Sequence, residues 1–178
     1  HPASYFSPNK FYATLRSMGV KVGKDTVYAY LDHLEEAFVA FPVQKWDRSP
    51  RVRSMNPSKI YVIDTGLAGC FSVTPDRGKR LENAVFHHLH RQQRELYYLA
   101  NGREVDLASA DDCPKTAWNV TWSVHEPDTQ ARETRSLKWA RDRYPGIETA
   151  LVCHEAPDTW DHESKLIPAW QWLSGRLD

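Results

Sequence analysis

The sequence predicts an α/β chain of the α+β kind: an N-terminal winged-helix-like unit followed by a mixed sheet flanked by helices. Three observations predict it. Apolar residues recur at helical spacing in residues 8–39. Residues 96–124 alternate with a period of two and carry Asn-Gly at 101–102, a strong hairpin signal. A long polar helical stretch then ends in Pro-Gly and gives way to "IETALVCH", whose β-branched and apolar residues suit a buried strand.

Residues 8–18, "PNKFYATLRSM", open on proline and place Phe11, Leu15 and Met18 together, so a helix is expected. After the turn "GVKVGKD", residues 24–39 predict a second helix. Asp25 or Thr26 stands near its N-cap, and Val27, Tyr30, Leu31, Leu34 and Phe38 share one face. "AFVAFPVQKW" alternates like a strand, the basic "DRSPRVRSMNPSK" reads as a turn or wing, and "KIYVID" is a second strand. Helix, turn, helix and a ribbon with a basic tip outline a winged helix over residues 1–66.

The second unit is expected over residues 67–178, after the bridge "TGLAGCFSVTPDRGK". A helix from Lys79 to about Arg94 carries Glu82, Val85, Phe86 and Leu89 on one face. Strands follow at Leu96–Ala100, Arg103–Ser109 and Thr116–Val124. "DTQARETRSLKWARDRY" is a helix, "IETALVCH" a strand, and "ESKLIPAWQWL" a closing helix or strand–helix segment. The order α-β-β-β-α-β-α describes a mixed sheet with helices on its faces.

The 178 residues suffice for a substantial core, with 41% hydrophobic and 26% charged residues, as in an ordinary globular protein. No apolar run approaches the roughly 18 residues of a membrane span, and no signal peptide opens the sequence. Cys70, Cys113 and Cys153 are widely spaced without a CxxC pair, which argues for reduced thiols in a cytoplasmic protein. No phosphate-binding glycine motif occurs. The net charge of zero conceals an asymmetry: residues 1–60 hold nine Lys/Arg against five Asp/Glu. That excess is compatible with nucleic-acid contact by the first unit.

The chemistry-bearing residues are acids. Glu82 stands on the apolar face of its helix, where a carboxylate requires a partner. Glu104 and Asp106 share a face of their strand, with Val105 and Leu107 expected on the other. Metal-dependent phosphodiester cleavage uses carboxylates to hold Mg²⁺ and a cation to steady the attacking water. In restriction-endonuclease-like, PD-(D/E)XK, sites the next strand adds an acid and, two residues on, a lysine. Those positions hold Asn119 and Thr121, so the lysine is missing. Lys115 lies upstream in a turn. His87, His88 and His90 lack a further ligand at metal-binding spacing and are expected on a solvated face. Glu82, Glu104 and Asp106 remain open between a metal shell and a structural or solvated role.

The fragments "TVYAYLDHLEEAFVAFPV", "KIYVIDTGLAG", "RLENAVFHHLHRQ", "YYLANGREVDLA" and "LIPAWQWL" together resemble the C-terminal region of a widespread group of bacterial and archaeal predicted AAA-type ATPases. The resemblance covers nearly the whole chain. It implies a winged helix joined to a PD-(D/E)XK-like fold, following a P-loop ATPase half that is absent here. Carried over, the glutamate of the group's "E-N" element is Glu82 and the aspartate of "E-V-D" is Asp106. The group's third strand usually has Gln and Lys where this sequence has Asn119 and Thr121.

The leading expectation is a non-catalytic DNA-binding or regulatory module of such an ATPase. Lys21, Lys24 and Tyr28 and the wing residues Arg48, Arg51 and Arg53 would contact DNA. The alternatives are a Mg²⁺-dependent nuclease with Glu82 and Asp106 as ligands and a relocated cation, and a protein-interaction platform docking on its own ATPase. Trp170 and Trp172 would mark the covered surface of such a platform, and a homo-oligomer is compatible with it.

Overall fold

The computed structural model describes residues 2–70, 74, 76–157, 159–160 and 162–175. It has a mixed α/β architecture of two sheets flanked by helices. The first sheet has the order β1-β3-β2, from β1 (Ser4–Phe6), β2 (Ala40–Val43) and β3 (Ser58–Val62), all antiparallel. Helices α1 (Pro8–Ser17), α2 (Lys24–Glu36) and α3 (Pro50–Met55) lie in its connections. The Ser7 hydroxyl accepts from Lys10 N at 3.4 Å and Pro8 fills the first turn, which starts α1 where sequence places it.

Four features of this half depart from expectation. Strand β1 has only three residues and no periodicity by which sequence could show it. The N-cap of α2 is Gly23, so Asp25 lies inside the first turn, where it complements the helix dipole. The basic wing contains helix α3, begun by Ser49 and Pro50. Finally, α2 buries Val27, whereas Tyr30, Leu34 and Phe38 are 62%, 45% and 66% exposed. The apolar stripe is real, but most of it faces outward.

After α4 (Thr65–Cys70) and α5 (Arg77–His90), the second sheet runs in the order β4-β5-β6-β7-β8. Its strands are β4 (Leu96–Ala100), β5 (Glu104–Ala110), β6 (Pro114–Ser123), β7 (Glu148–Glu155) and β8 (Lys165–Pro168). The first three are antiparallel, turning between β4 and β5 at Gly102 with φ +73°, and β6, β7 and β8 are parallel. Helix α6 (Pro127–Arg143) makes the β6–β7 crossover and α7 (Ala169–Leu173) closes the chain.

Alternation sorts the core onto two faces. Trp118 and Val120 of β6 pack with Val85, Phe86 and Leu89 of α5. Ala117 of β6 packs with Leu137 and Ala140 of α6. The α5-side cluster also takes in Ala3, Val43 and Tyr61, so both sheets share one hydrophobic core. The sheets also meet at backbone level: Tyr98 N donates to Gln44 O at 3.0 Å and Trp46 N donates to Tyr98 O at 2.8 Å.

Strand β5 is irregular at its centre. Tyr97 pairs with Ala108 but Leu99 with Val105, so Asp106 and Leu107 together oppose Tyr98 in a bulge. Val105 therefore packs on the α6 side and Leu107 on the α5 side, contrary to their expected common face.

Candidate functional site

Strand β3 brings the cation that β6 lacks. Its pattern leaves Lys59 and Tyr61 buried and pointing at α5, with Ser58, Ile60 and Val62 only partly covered. Lys59 is 1% exposed. Its Nζ lies 3.1 Å from Glu82 Oε1, 2.9 Å from Asp106 Oδ1 and 2.6 Å from Glu104 Oε1. The ammonium donates hydrogen bonds to Glu82 and Asp106 and forms an ion pair with Glu104. Tyr61 donates its hydroxyl to Glu82 Oε1 at 2.8 Å and stacks on Phe86 with ring centroids 4.2 Å apart. Lys79 Nζ lies 3.5 Å from Glu82 Oε2 and donates to Ala3 O at 2.6 Å.

Helix α5 is clamped to the same strand by its next two turns. The Asn83 side-chain amide accepts from Val62 N and donates to Val62 O, both at 2.9 Å. His87 Nε2 lies 2.6 Å from Val62 O. Glu82, Asn83 and His87 therefore hold β3 against α5. His90 stacks on Phe86 and meets Phe41 edge-on. His87 is thus a half-buried packing group where sequence predicts a solvated face, whereas His90 is exposed as expected.

The bulge turns Asp106 into the opening between β5 and β6. Its Oδ2 accepts from Val120 N at 2.9 Å, while its own N donates to Asn119 Oδ1 at 3.2 Å. Asn119 Nδ2 donates to Glu133 Oε2 at 2.6 Å, and Glu133 Oε1 accepts from Arg132 Nη2 at 2.6 Å. Asn119 thus stands at the expected acid position and serves as a neutral link to a carboxylate on α6. Thr121 donates to Ser123 O at 3.3 Å and carries no charge. The acids, Asn119 and Thr121 all line one cavity of about 420 Å³. Lys115 is exposed and paired with Asp111, away from it.

Electrostatics bind the cluster. Burial works against the charge on Lys59, but Asp106, Glu82 and Glu104 outweigh it and hold the ammonium well above its usual range. Burial and the neighbouring Asp106 push Glu82 up to about 7, against the pull of Lys59, Lys79 and the Tyr61 hydroxyl. Burial also raises Glu133, which the Arg132 hydrogen bond opposes.

An Mg²⁺ ion, implied by the nuclease-like pattern, requires near-octahedral oxygens at about 2.0–2.1 Å. The ammonium of Lys59 already engages an oxygen of each of three carboxylates. Among the described residues no group of three or more His, Cys, Asp or Glu side chains is arranged to hold a metal ion. The residues present do not fit the ion while Lys59 occupies the cluster.

The nucleic-acid candidates divide. Lys21, Lys24, Arg48 and Arg51 are all exposed. Tyr28 is 37% exposed; its hydroxyl donates to Asn9 Oδ1 at 3.2 Å and Lys24 Nζ lies 5.9 Å from its ring centroid. Arg53 is committed elsewhere, donating to the Tyr97 hydroxyl at 2.9 Å with its guanidinium 5.6 Å from the ring centroid. Trp170 is 56% exposed, whereas Trp172 packs against His88 and Trp118.

Residues 6–77 match the model of a domain of unknown function, DUF8612. The chain is similar to an uncharacterized protein of Methanocaldococcus jannaschii, 22% identical over 183 residues that cover 96% of this chain and 41% of the relative. It is also similar to an uncharacterized protein of Haemophilus influenzae, 26% identical over 145 residues, covering 79% of this chain and 35% of the relative. The chain thus spans about two fifths or less of the length of these relatives. No solved structure matches it. Among the described residues no helix is long and apolar enough to cross a membrane.

Proposed function

We propose that this chain is a non-catalytic DNA-contacting and regulatory module of a cytoplasmic AAA-type ATPase, with a winged helix built on α1, α2 and the β2–β3 ribbon. The observation that carries the non-catalytic half is Lys59. A nuclease lysine must present a hydrogen to the attacking water or the scissile phosphate, and a metal must reach the acids. Here a lysine that is 1% exposed donates to Glu82 and Asp106 and is ion-paired with Glu104. The DNA-contacting half is supported by Lys21, Lys24, Arg48 and Arg51 at the surface of the first unit. The regulatory half is supported by the outward Tyr30, Leu34 and Phe38, spaced four residues apart along α2 and its C-terminal end, a face suited to the ATPase half.

The test is fluorescence anisotropy of labelled duplex and single-stranded DNA at stepped salt, with and without Mg²⁺. The expected result is Mg²⁺-independent binding whose log affinity falls linearly with log salt. Absence of binding at low salt would remove the DNA assignment and leave the protein-docking role.

A Mg²⁺-dependent nuclease is the second reading, favoured by one feature: a cation relocated to Lys59 lies within 2.9 Å of Asp106. It requires Mg²⁺-dependent DNA cleavage that Asp106→Asn abolishes.

A further inference from the structure

We propose that Lys59 is a built-in substitute for a divalent cation: its ammonium occupies the Glu82–Glu104–Asp106 cluster, fastens β3 to α5 and β5, and keeps metal ions out. The inference rests on the non-catalytic reading above and adds what the cluster is for. Three acidic side chains from two elements converge on one point, and that point is taken by a fully buried ammonium from a third. Glu82 and Asp106 are 23 and 47 residues away from Lys59 in sequence. A tie of this span joins the first sheet to the second.

The remaining contacts hold Glu82 and Asp106 in place independently of Lys59. Glu82 keeps the Tyr61 hydroxyl and Lys79, and Asp106 keeps Val120 N. Replacing the ammonium with an apolar end one atom shorter leaves three carboxylates, Glu82 and Asp106 still held in orientation, around a vacated point with two or three excess negative charges. Carboxylate oxygens in that number are what a hard divalent cation takes. The wild-type chain excludes the ion because its own cation is tethered there at very high effective concentration.

Lys59→Met in the full chain tests this, with Mn²⁺ as the probe followed by electron paramagnetic resonance and thermal unfolding. The wild-type protein is expected to take up no Mn²⁺ at this cluster and to keep its Tm. Lys59→Met is expected to lose thermal stability, to bind one Mn²⁺ per chain, and to regain Tm as Mn²⁺ is added. Adding Glu82→Gln to Lys59→Met should weaken that uptake at least tenfold. Should Lys59→Met not fold without metal, refolding it in the presence and absence of Mn²⁺ gives the same answer, since folding should depend on the ion. Two results would overturn the proposal: a wild-type chain that binds one Mn²⁺ in a manner lost with Glu82→Gln, or a Lys59→Met chain indifferent to Mn²⁺ whether folded or refolding. DNA affinity of the wild-type chain is read separately, so failure here leaves the DNA assignment standing, and failure there leaves this one.

Discussion

Lys59 brings one positive charge to three carboxylates, and Lys79 approaches Glu82 from the other side. Removing one partner of a buried ion pair leaves the other uncompensated, which costs roughly 3–5 kcal/mol. Lys59→Met should therefore destabilise the metal-free chain by about that amount, read by urea unfolding. A loss below about 1 kcal/mol would mean that the acids relax into solvent instead. Glu82 gives a pH signature. Its carboxyl rises from 4.5 unfolded to about 7 folded, so between those values the folded state binds more protons. Stability from this group is fully present below the unfolded value and is lost as pH climbs through about 7. Glu82→Gln should flatten the decline in unfolding free energy across that window; an unchanged slope would assign the decline to another group. At this scale half of the site is legible in the sequence. An acid on the apolar face of α5 demands a partner, and that demand can be read from "RLENAVF". The partner cannot, because Lys59 sits in a short strand whose neighbours are set by tertiary packing. The one signal is local: Lys59 and Tyr61 fall on one face of "SKIYV", a lysine beside a tyrosine that is fully buried.

Elements with local signals lie where sequence places them: β4 is Leu96–Ala100 as expected, because Asn-Gly fixes the hairpin that follows. The bulge in β5 leaves no such trace, since an extra residue is defined only against the partner strand. Helix α2 shows the limit of periodicity. Its stripe predicts a core face, yet Leu34 and Phe38 are exposed. Leu34→Ser and Phe38→Ser should each change stability by no more than about 0.5 kcal/mol. Val27→Ala, which empties a buried position, should cost on the order of 2 kcal/mol. A large loss at Leu34 or Phe38 would mean that the face is covered in solution. The segment around α3 separates its arginines by role. Arg48→Glu with Arg51→Glu should lower DNA affinity at least tenfold and flatten the salt dependence, measured by anisotropy. Arg53→Ala should act on stability instead, through the lost Tyr97 hydrogen bond, at about 1 kcal/mol. Equal effects of all three on DNA alone would contradict this division.

At the scale of the molecule, the division expected at residue 66 separates two sheets but cuts through one core, because Tyr61, Val43 and Ala3 pack with Val85 and Leu107. Burial of this kind is cooperative, so calorimetry should show a single transition, and residues 67–178 expressed alone should not reach a native fold. Two separable transitions would restore independent domains. The expected boundary comes from element pattern, which is a property of the order of residues. Cohesion depends on which faces meet, and the run from "KIYVID" into "TGLAGC" gives no hint that β3 serves both sheets.

The meeting of Gln44–Trp46 with Tyr98 also bears on self-association. A sheet with open margins is a template onto which another molecule can polymerise. The β4 margin is engaged at its midpoint by the chain's own backbone. The opposite margin, β8, is four residues long, begins with a lysine and ends with a proline that has no hydrogen to donate. Both margins of the larger sheet are thereby defended against fibre growth, by different means: one by occupancy, the other by composition.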